Sequence, residues 1–291
     1  MIPAAVALAV GTVSIWLARA RKRCKPEDVP SNAPPFPPKQ GEFDVIFLGT
    51  GASTGVPTIT HIIQGTDGKG KACEVCQDAL NSGSRNRRNN VSILVRFCDF
   101  DGSTKHLMVD AGKTMRTAVI ESFPKFGVRD IDALLLTHGH ADAVLGLDDL
   151  RDLQVLEDVV EDGKFLGYRT LTGAPLKVVS NKATLDTAKS IFPYLAGGVE
   201  MVKPNVMRRR VACLEWVEVE DKAMLCEETA GMPVRVFPVF HGSNYISLGF
   251  AFGRCETFGK GKWHVGLDPD ALALPMFAHQ SQVAWQIGLY D

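Results

Sequence analysis

The chain has 291 residues, of which 45% are hydrophobic and 22% charged, so it can bury a sizeable core in one large or two small domains. Its formal net charge of −1 excludes a general electrostatic attraction to nucleic acid or membranes, and any anion must be bound by a local cluster. The seven cysteines are scattered rather than regularly spaced, which favours a reducing compartment over a disulfide framework.

The first 25 residues form a separate segment. Residues 2–18 are apolar and uncharged, and a basic cluster follows them up to Lys25. A membrane-spanning helix needs at least about 17 apolar residues, so this run is just long enough to be a membrane anchor. The basic cluster after it would keep the rest of the chain in the cytosol. Because no acidic residue precedes Glu27, a mitochondrial or plastid transit peptide is the alternative, and an artefactual leader is a third. The proline-rich residues 26–41 are expected to form a stiff, extended linker.

Residues 42–258 alternate short apolar runs with amphipathic stretches, which predicts sheets covered by helices, an α/β (α+β) class. The predicted strands are 44–48, 91–97, 106–109, 131–136, 176–179, 213–219, 234–240 and 246–252. The predicted helices are 113–123, 142–153 and 182–192, the last of which should stop at Pro193. Residues 259–291 are expected to form a divergent tail.

The sequence T-H-G-H-A-D-A at 137–143 directly follows the predicted strand 131–136. His138 and His140 lie on one side of a loop, where two imidazoles can share a metal ion. Asp142 would add a hard oxygen ligand or act as a general base. A mixed nitrogen and oxygen set is typical of a hydrolytic metal site.

Other candidates are less specific. Asp110 ends a predicted strand and is expected to hold a metal-binding histidine through its second ring nitrogen. Cys73 and Cys76 are half of a tetrahedral zinc site, with a metal-free thiol pair as the alternative. Arg87 and Arg88, next to Arg85, either bind phosphate or form a solvated charge run.

Two further patterns are assigned no catalytic role. The glycine-rich residues 49–55 lack the spacing of a dinucleotide-binding loop. The remaining histidines are interpreted as packing or surface residues: His61, His106, His264 and His279.

Residues 43–254 contain a series of motifs in a fixed order. The motifs are F-L-G-T-G at 47–51, C-x-x-C at 73–76, R-N-R-R at 85–88, M-V-D-A-G at 108–112, the histidine motif, G-L-D-D-L-R at 146–151, F-H-G-S-N-Y at 240–245 and L-G-F at 248–250. This series resembles the metallo-β-lactamase fold superfamily, in particular eukaryotic relatives of the bacterial phosphonate-pathway cyclic-phosphate phosphodiesterase. It is more distantly similar to tRNA 3′-end endonucleases.

The resemblance implies a four-layer αββα sandwich and a first metal set of His138, His140 and His241. It also implies a zinc cofactor, with manganese as an alternative. Ser243 and Asn244, next to His241, are candidates to orient a substrate oxygen. In the bacterial relatives, a further cysteine stands where this chain has Lys71, and a late histidine completes their structural zinc site.

The chain departs from the superfamily at two points. Ala143 stands where the full motif has a histidine, and no bridging aspartate or late histidine is recognisable after Arg254. The resemblance therefore implies a sandwich that is incomplete at its C-terminus and a second metal position that is absent or weakly occupied.

The expected function is a metal-dependent phosphodiesterase, acting on a small cyclic phosphate or a nucleotide-like phosphodiester through metal-bound hydroxide. The alternatives are a thioester or lactone hydrolase and a degenerate family member that binds metal or ligand without turnover. The expected partner is the small-molecule substrate, with membrane attachment through residues 1–25 and no specific nucleic acid.

Overall fold

A computed structural model of the chain describes residues 43–252, except 66–69, 82, 100, 198–199, 223, 227–228, 233 and 243–244. The predicted targeting segment 1–25, the linker 26–41 and the tail 259–291 lie outside the described residues. Among the helices of the described part, none is long and apolar enough to span a bilayer. The membrane or organelle location of the protein therefore stays a prediction.

The strands are β1 Phe43–Gly49, β2 Ser92–Cys98, β3 Thr104–Val109, β4 Ala133–Leu135, β5 Leu156–Glu161, β6 Lys164–Thr170, β7 Leu176–Asn181, β8 Met201–Lys203, β9 Val206–Met207, β10 Leu214–Val219, β11 Met224–Cys226, β12 Val234–Phe240 and β13 Ile246–Phe252. The helices are α1 Ile59–Ile63, α2 Glu74–Asp78, α3 Met115–Phe126, α4 Ala141–Val144, a 3-10 helix Leu147–Asp152, α5 Lys182–Ile191 and α6 Pro193–Ala196.

These strands form a six-stranded sheet in the order β1-β2-β3-β4-β7-β10, a three-stranded sheet β11-β12-β13 and a four-stranded sheet β5-β6-β9-β8. In the largest sheet, β3, β4, β7 and β10 run parallel to one another, while β2 pairs antiparallel with both β1 and β3. The carboxyl ends of the parallel strands therefore lie at one edge, where binding residues commonly gather.

Both faces of the six-stranded sheet are covered. Every residue of β2 is buried, and its alternate side chains enter two different cores. Leu94 packs in a cluster with residues of α3 and α5, whereas Val95 packs in a cluster with β12 and β13. The described residues thus supply three adjacent layers, helix, sheet and sheet. They confirm the predicted α/β class of sandwich.

The predicted helix 142–153 is wrong as a single element. It is divided into α4 and the 3-10 helix because Gly146 packs against the loop that follows β3. The Gly146 N–H donates to the Ala111 carbonyl at 2.7 Å, and an added Cβ would lie 2.6 Å from the Gly112 carbonyl oxygen. This break separates α4 from the 3-10 helix and leaves α4 as a short helix beside the end of β4.

The helix predicted at 182–192 is present as α5, and the Asn181 side chain accepts a hydrogen bond from the Thr184 N–H at its start. Pro193 does end this helix, but it also begins α6. The sequence did not predict the β5–β6 hairpin. Its turn is formed by Asp162 and Gly163, both with positive φ.

An ion pair ties β1 to β2. The buried Arg96 donates from Nε to Asp44 Oδ1 at 2.9 Å, and its Nη1 donates to the Phe126 carbonyl at 3.2 Å. Only 3% of the Arg96 side chain is exposed, so its charge depends on these partners. Removing one partner of a buried pair costs more than the pair itself contributes.

We expect Asp44→Ala to lower the free energy of unfolding by about 2–3 kcal/mol, because it removes the carboxylate that faces the buried Arg96 charge. Urea denaturation followed by circular dichroism measures this. The matched control is Glu157→Ala, which breaks the exposed Arg169–Glu157 pair on the β5–β6 hairpin. This variant should lower the free energy of unfolding by less than about 1 kcal/mol. Equal losses in the two variants would contradict the prediction.

Candidate metal centre

Three histidines converge at the edge where β4 and β12 end. His138 follows β4 by three residues, and His241 directly follows β12. The Leu248 N–H of β13 donates to the Thr137 carbonyl at 2.7 Å, which joins the two sheets at this edge. The ligand atoms of His138, His140 and His241 all lie within 4.8 Å of one another. The structure thus brings together residues that are about a hundred positions apart.

The His138 side chain is nearly fully buried, and its Nε2 has no hydrogen-bond partner among the described residues. Its other nitrogen, Nδ1, lies 2.7 Å from Thr137 Oγ1, which in turn donates to Asp110 Oδ2 at 2.7 Å. When Asp110 is ionised, the hydroxyl that donates to its carboxylate must accept from the imidazole, so Nδ1 then carries the proton. Nε2 then presents a lone pair, and an unpaired buried acceptor is costly unless a ligand satisfies it.

Two of the histidines have pKa values shifted towards the neutral form that a metal requires. Burial lowers the pKa of His138 to about 4, helped by His241 and His140 and opposed by Asp142. Burial, with a contribution from His140, likewise lowers the pKa of His241. Metal ligands must be deprotonated to bind. These shifts, together with the unpaired Nε2 of His138, fit a divalent transition metal.

Asp110 does support His138, but through an intermediate residue that the sequence did not single out. Its fully buried carboxylate accepts from the Thr137 N–H at 2.8 Å and from the Thr137 hydroxyl, and it does not contact the imidazole directly. Burial raises the pKa of Asp110 to about 8, although the hydrogen bonds from Thr137 oppose this shift and the Asp142 charge adds to it. Thr137 is thus the residue that orients the imidazole.

Asp142 lies in the first turn of α4. Its Oδ1 is 3.8 Å from His138 Nε2, and its Oδ2 accepts a hydrogen bond from Ser53 Oγ at 2.6 Å. The neighbouring Ala143 is fully buried, and its carbonyl accepts from the Ala111 N–H at 2.7 Å. Ala143 therefore supplies no side-chain ligand to this centre.

Tyr245 ends the F-H-G-S-N-Y motif, and the sequence did not predict a role for it. Its ring stacks on His140, with centroids 5.0 Å apart and planes inclined by 21°. Its hydroxyl accepts from the Gly139 N–H at 3.0 Å, and its carbonyl accepts from the His241 N–H at 2.8 Å. Tyr245 therefore connects the two loops that carry the histidines.

Of the other predicted substrate contacts, Ser243 and Asn244 lie outside the described residues. Arg87 and Arg88 are exposed, and the Arg88 guanidinium donates to the carbonyls of Arg85 and Arg87 in its own loop. The arginines lie on the segment that pairs with the loop after β1, since the N–H and carbonyl of Arg88 both bond to Val56.

A second cluster contains His61, Cys73 and Cys76, whose ligand atoms also lie within 4.8 Å of one another. His61 Nδ1 is 3.3 Å from Cys76 Sγ, so His61 joins the two cysteines in a cluster that the sequence did not predict. Burial acts to raise the pKa of Cys76, but hydrogen bonds from Thr58, His61 and Cys73 bring it down to about 7. The two thiols and the His61 imidazole thus offer three ligand atoms, which fits a structural zinc site.

Comparison with known proteins finds a family model and a curated relative that match part of the chain. Residues 85–172 match the family model of the metallo-beta-lactamase superfamily, a segment that includes Asp110, His138, His140 and Asp142. Over 108 residues the chain is 32% identical to an octanoyltransferase from Porphyromonas gingivalis, which is 37% of this chain and 18% of that protein. The superfamily that the motifs resemble is thus the one whose model matches this segment.

Several solved structures are similar. A diphosphatase of the PhnP family shares 28% identity, with 73% of this chain and 63% of that chain covered and a TM-score of 0.48. Zinc-bound PqqB from Methylobacterium extorquens shares 19%, with coverages of 72% and 60% and a TM-score of 0.44. The short form of human tRNase Z shares 16%, with coverages of 72% and 64% and a TM-score of 0.40. The chain spans less than two thirds of each of these proteins.

We expect Thr137→Val to weaken zinc binding by about 10–100-fold, because it keeps the side-chain shape but removes the hydroxyl between Asp110 and His138. Competition with a chromophoric chelator measures the affinity. Thr172→Val, in an exposed turn, is the control and should bind as the wild type does. Unchanged affinity in Thr137→Val would show that the hydroxyl does not orient His138.

We also expect the purified protein to hold a second zinc ion at His61, Cys73 and Cys76. Elemental analysis should find that Cys76→Ser loses one equivalent and that His140→Ala loses the other, because the two clusters share no residue. Cys213→Ser, which alters a cysteine outside both clusters, should keep both ions. A wild-type protein with one equivalent, retained in Cys76→Ser, would leave the thiol pair metal-free.

Proposed function

We propose, from the metallo-β-lactamase domain that this chain carries, that the protein is a metal-dependent hydrolase that cleaves a phosphodiester bond in a small molecule. The observation that supports this most directly is the buried Nε2 of His138, which has no hydrogen-bond partner among the described residues and lies within a cluster of three imidazoles. Such a donor set is typical of a catalytic zinc site rather than a closed structural one.

His138, His140 and His241 would hold the ion through their ring nitrogens. When bound, a divalent ion supplies Lewis-acid polarisation of a phosphoryl oxygen and lowers the pKa of a water molecule. Thr137 and Asp110 keep His138 in the tautomer that leaves Nε2 free. Three imidazoles favour zinc, and the nearby carboxylate also suits manganese.

Asp142 is the general base of this proposal. Its Oδ1 is 3.8 Å from His138 Nε2, so the carboxylate lies beside the nitrogen that would bind the ion. An aspartate there can accept the proton of an attacking water. The carboxylate is only slightly exposed, and a cation held by the imidazoles would be a favourable neighbour for it.

The phosphodiester class rests on two features. The order of motifs in residues 43–254 resembles that of the cyclic-phosphate phosphodiesterases. Arg87 and Arg88 are exposed on the segment that pairs with the loop after β1, the same loop from which Ser53 reaches Asp142. Guanidinium groups bind phosphate oxygens well, which supports a small anionic substrate over a neutral ester.

The test is hydrolysis of bis(p-nitrophenyl) phosphate by the full chain with added zinc or manganese. We expect Asp142→Asn to lower kcat by about 10²–10³-fold, because a positioned base contributes on this scale. His140→Ala should remove activity together with metal. Asp158 is an exposed residue of the β5–β6 hairpin, and Asp158→Asn should have the same kcat as the wild type.

A parallel assay with an acyl thioester and a lactone separates the alternatives. Hydrolysis of these substrates but not of the phosphodiester would show that the substrate class is wrong while the hydrolase stands. Metal binding without turnover on any of them would indicate a non-catalytic protein. Phosphodiester turnover that is unaffected by Asp142→Asn would remove Asp142 from the mechanism.

A further inference from the structure

We infer that Ser53 is a positioning residue, which turns the Asp142 carboxylate so that one oxygen faces the histidine cluster. The inference rests on the proposed function, because it assigns Ser53 a task in the same site. Ser53 lies 89 positions before Asp142, in the glycine-rich loop after β1, whose sequence predicts no catalytic role.

The two oxygens of Asp142 have different partners. Oδ2 accepts a short hydrogen bond from Ser53 Oγ at 2.6 Å, while Oδ1 is 3.8 Å from His138 Nε2. The terminal torsion of an aspartate is soft and has no sharply preferred angle. Fixing one oxygen fixes the other, so the hydrogen bond from Ser53 determines which way Oδ1 points.

The backbone of Asp142 is already fixed by close packing. A Cβ added to Gly112 would lie 1.9 Å from the Asp142 carbonyl oxygen, so only glycine permits this approach. The Ala111 N–H also donates to the carbonyl of Ala143, the next residue. Because the main chain is held in this way, Asp142 can change conformation only by rotation about its side-chain bonds. The hydrogen bond from Ser53 restricts this rotation.

Ser53 is exposed, yet its loop is firmly held. The buried Asn90 donates from Nδ2 to the carbonyls of Ala52 at 3.2 Å and Ser53 at 3.0 Å. The Gly51 N–H donates to the Asn89 carbonyl at 2.8 Å. A Cβ on Gly51 would lie 2.7 Å from that same carbonyl oxygen, so the loop lies directly against its neighbour. Because this loop is held firmly, the Ser53 hydroxyl can donate its hydrogen bond to Asp142 in a fixed direction.

A bond that served only stability would affect folding and leave the chemistry of the bound substrate unchanged. A positioning bond should instead lower kcat with little effect on KM or metal content, because the base is misaligned but the ligands remain. The hydroxyl of threonine can replace that of serine at an exposed position. Thr54 provides a matched control, since its hydroxyl makes only a 3.4 Å contact with the Gly55 carbonyl.

We therefore compare wild type, Ser53→Ala, Ser53→Thr and Thr54→Ala as zinc-loaded full-length proteins with bis(p-nitrophenyl) phosphate. Ser53→Ala should lose about 10–100-fold in kcat, the scale of a misplaced catalytic group, with KM and bound zinc unchanged. Ser53→Thr should recover most of the loss, and Thr54→Ala should behave as the wild type. Crystal structures of the metal-free proteins should show the Asp142 carboxylate turned only in Ser53→Ala.

The outcomes separate this inference from the proposed function. If the wild type hydrolyses no phosphodiester, the proposed function fails, and the Asp142 orientation in the crystal structures still decides the role of Ser53. A carboxylate that keeps its orientation in Ser53→Ala overturns the inference. So does an unchanged kcat, a loss of bound zinc, or a Ser53→Thr protein as slow as Ser53→Ala.

Discussion

The backbone and side chain of Thr137 connect every part of the metal centre. Its carbonyl accepts from the Leu248 N–H and the Ser247 hydroxyl of the second sheet, at 2.7 and 3.2 Å. Its N–H and hydroxyl donate to Asp110, and the same hydroxyl accepts from His138. The junction between the two sheets and the orientation of the first histidine thus depend on one residue. Because these groups are buried, each lost partner would leave an unpaired polar atom.

Close packing around the loop after β3 leaves little room for a metal-binding side chain at residue 143. Gly112 and Gly146 allow this loop to touch α4, and Ala143 fills the contact with no exposed surface. A larger side chain at Ala143 would have to displace buried neighbours, since protein interiors have little free volume. The absence of a histidine at this position is therefore matched by the surrounding packing, and the oxygen of Asp142 that faces away from the imidazoles is satisfied by Ser53.

The sequence predicted the strands that form the cores and the histidine motif, because hydrophobic runs and strand-end clusters are local signals. It did not reveal Thr137, Ser53 or His61, whose partners are set by tertiary contacts. The single helix at 142–153 failed because Gly146 meets another loop. The β5–β6 turn did carry a readable signal, Asp162-Gly163, which is a common two-residue hairpin turn.

Polar contacts rather than hydrophobic burial hold the segment that carries Ser53. Apart from Gly51 and Gly55, no residue between 50 and 63 is buried, and α1 buries none of its residues. An isolated five-residue helix has little stability of its own. The segment is attached at one end by backbone bonds to residues 88–90 and at the other by the contact of His61 with Cys76. The thiol cluster therefore fixes the far end of the same segment that orients Asp142, so the two donor clusters share one structural support although they share no ligand.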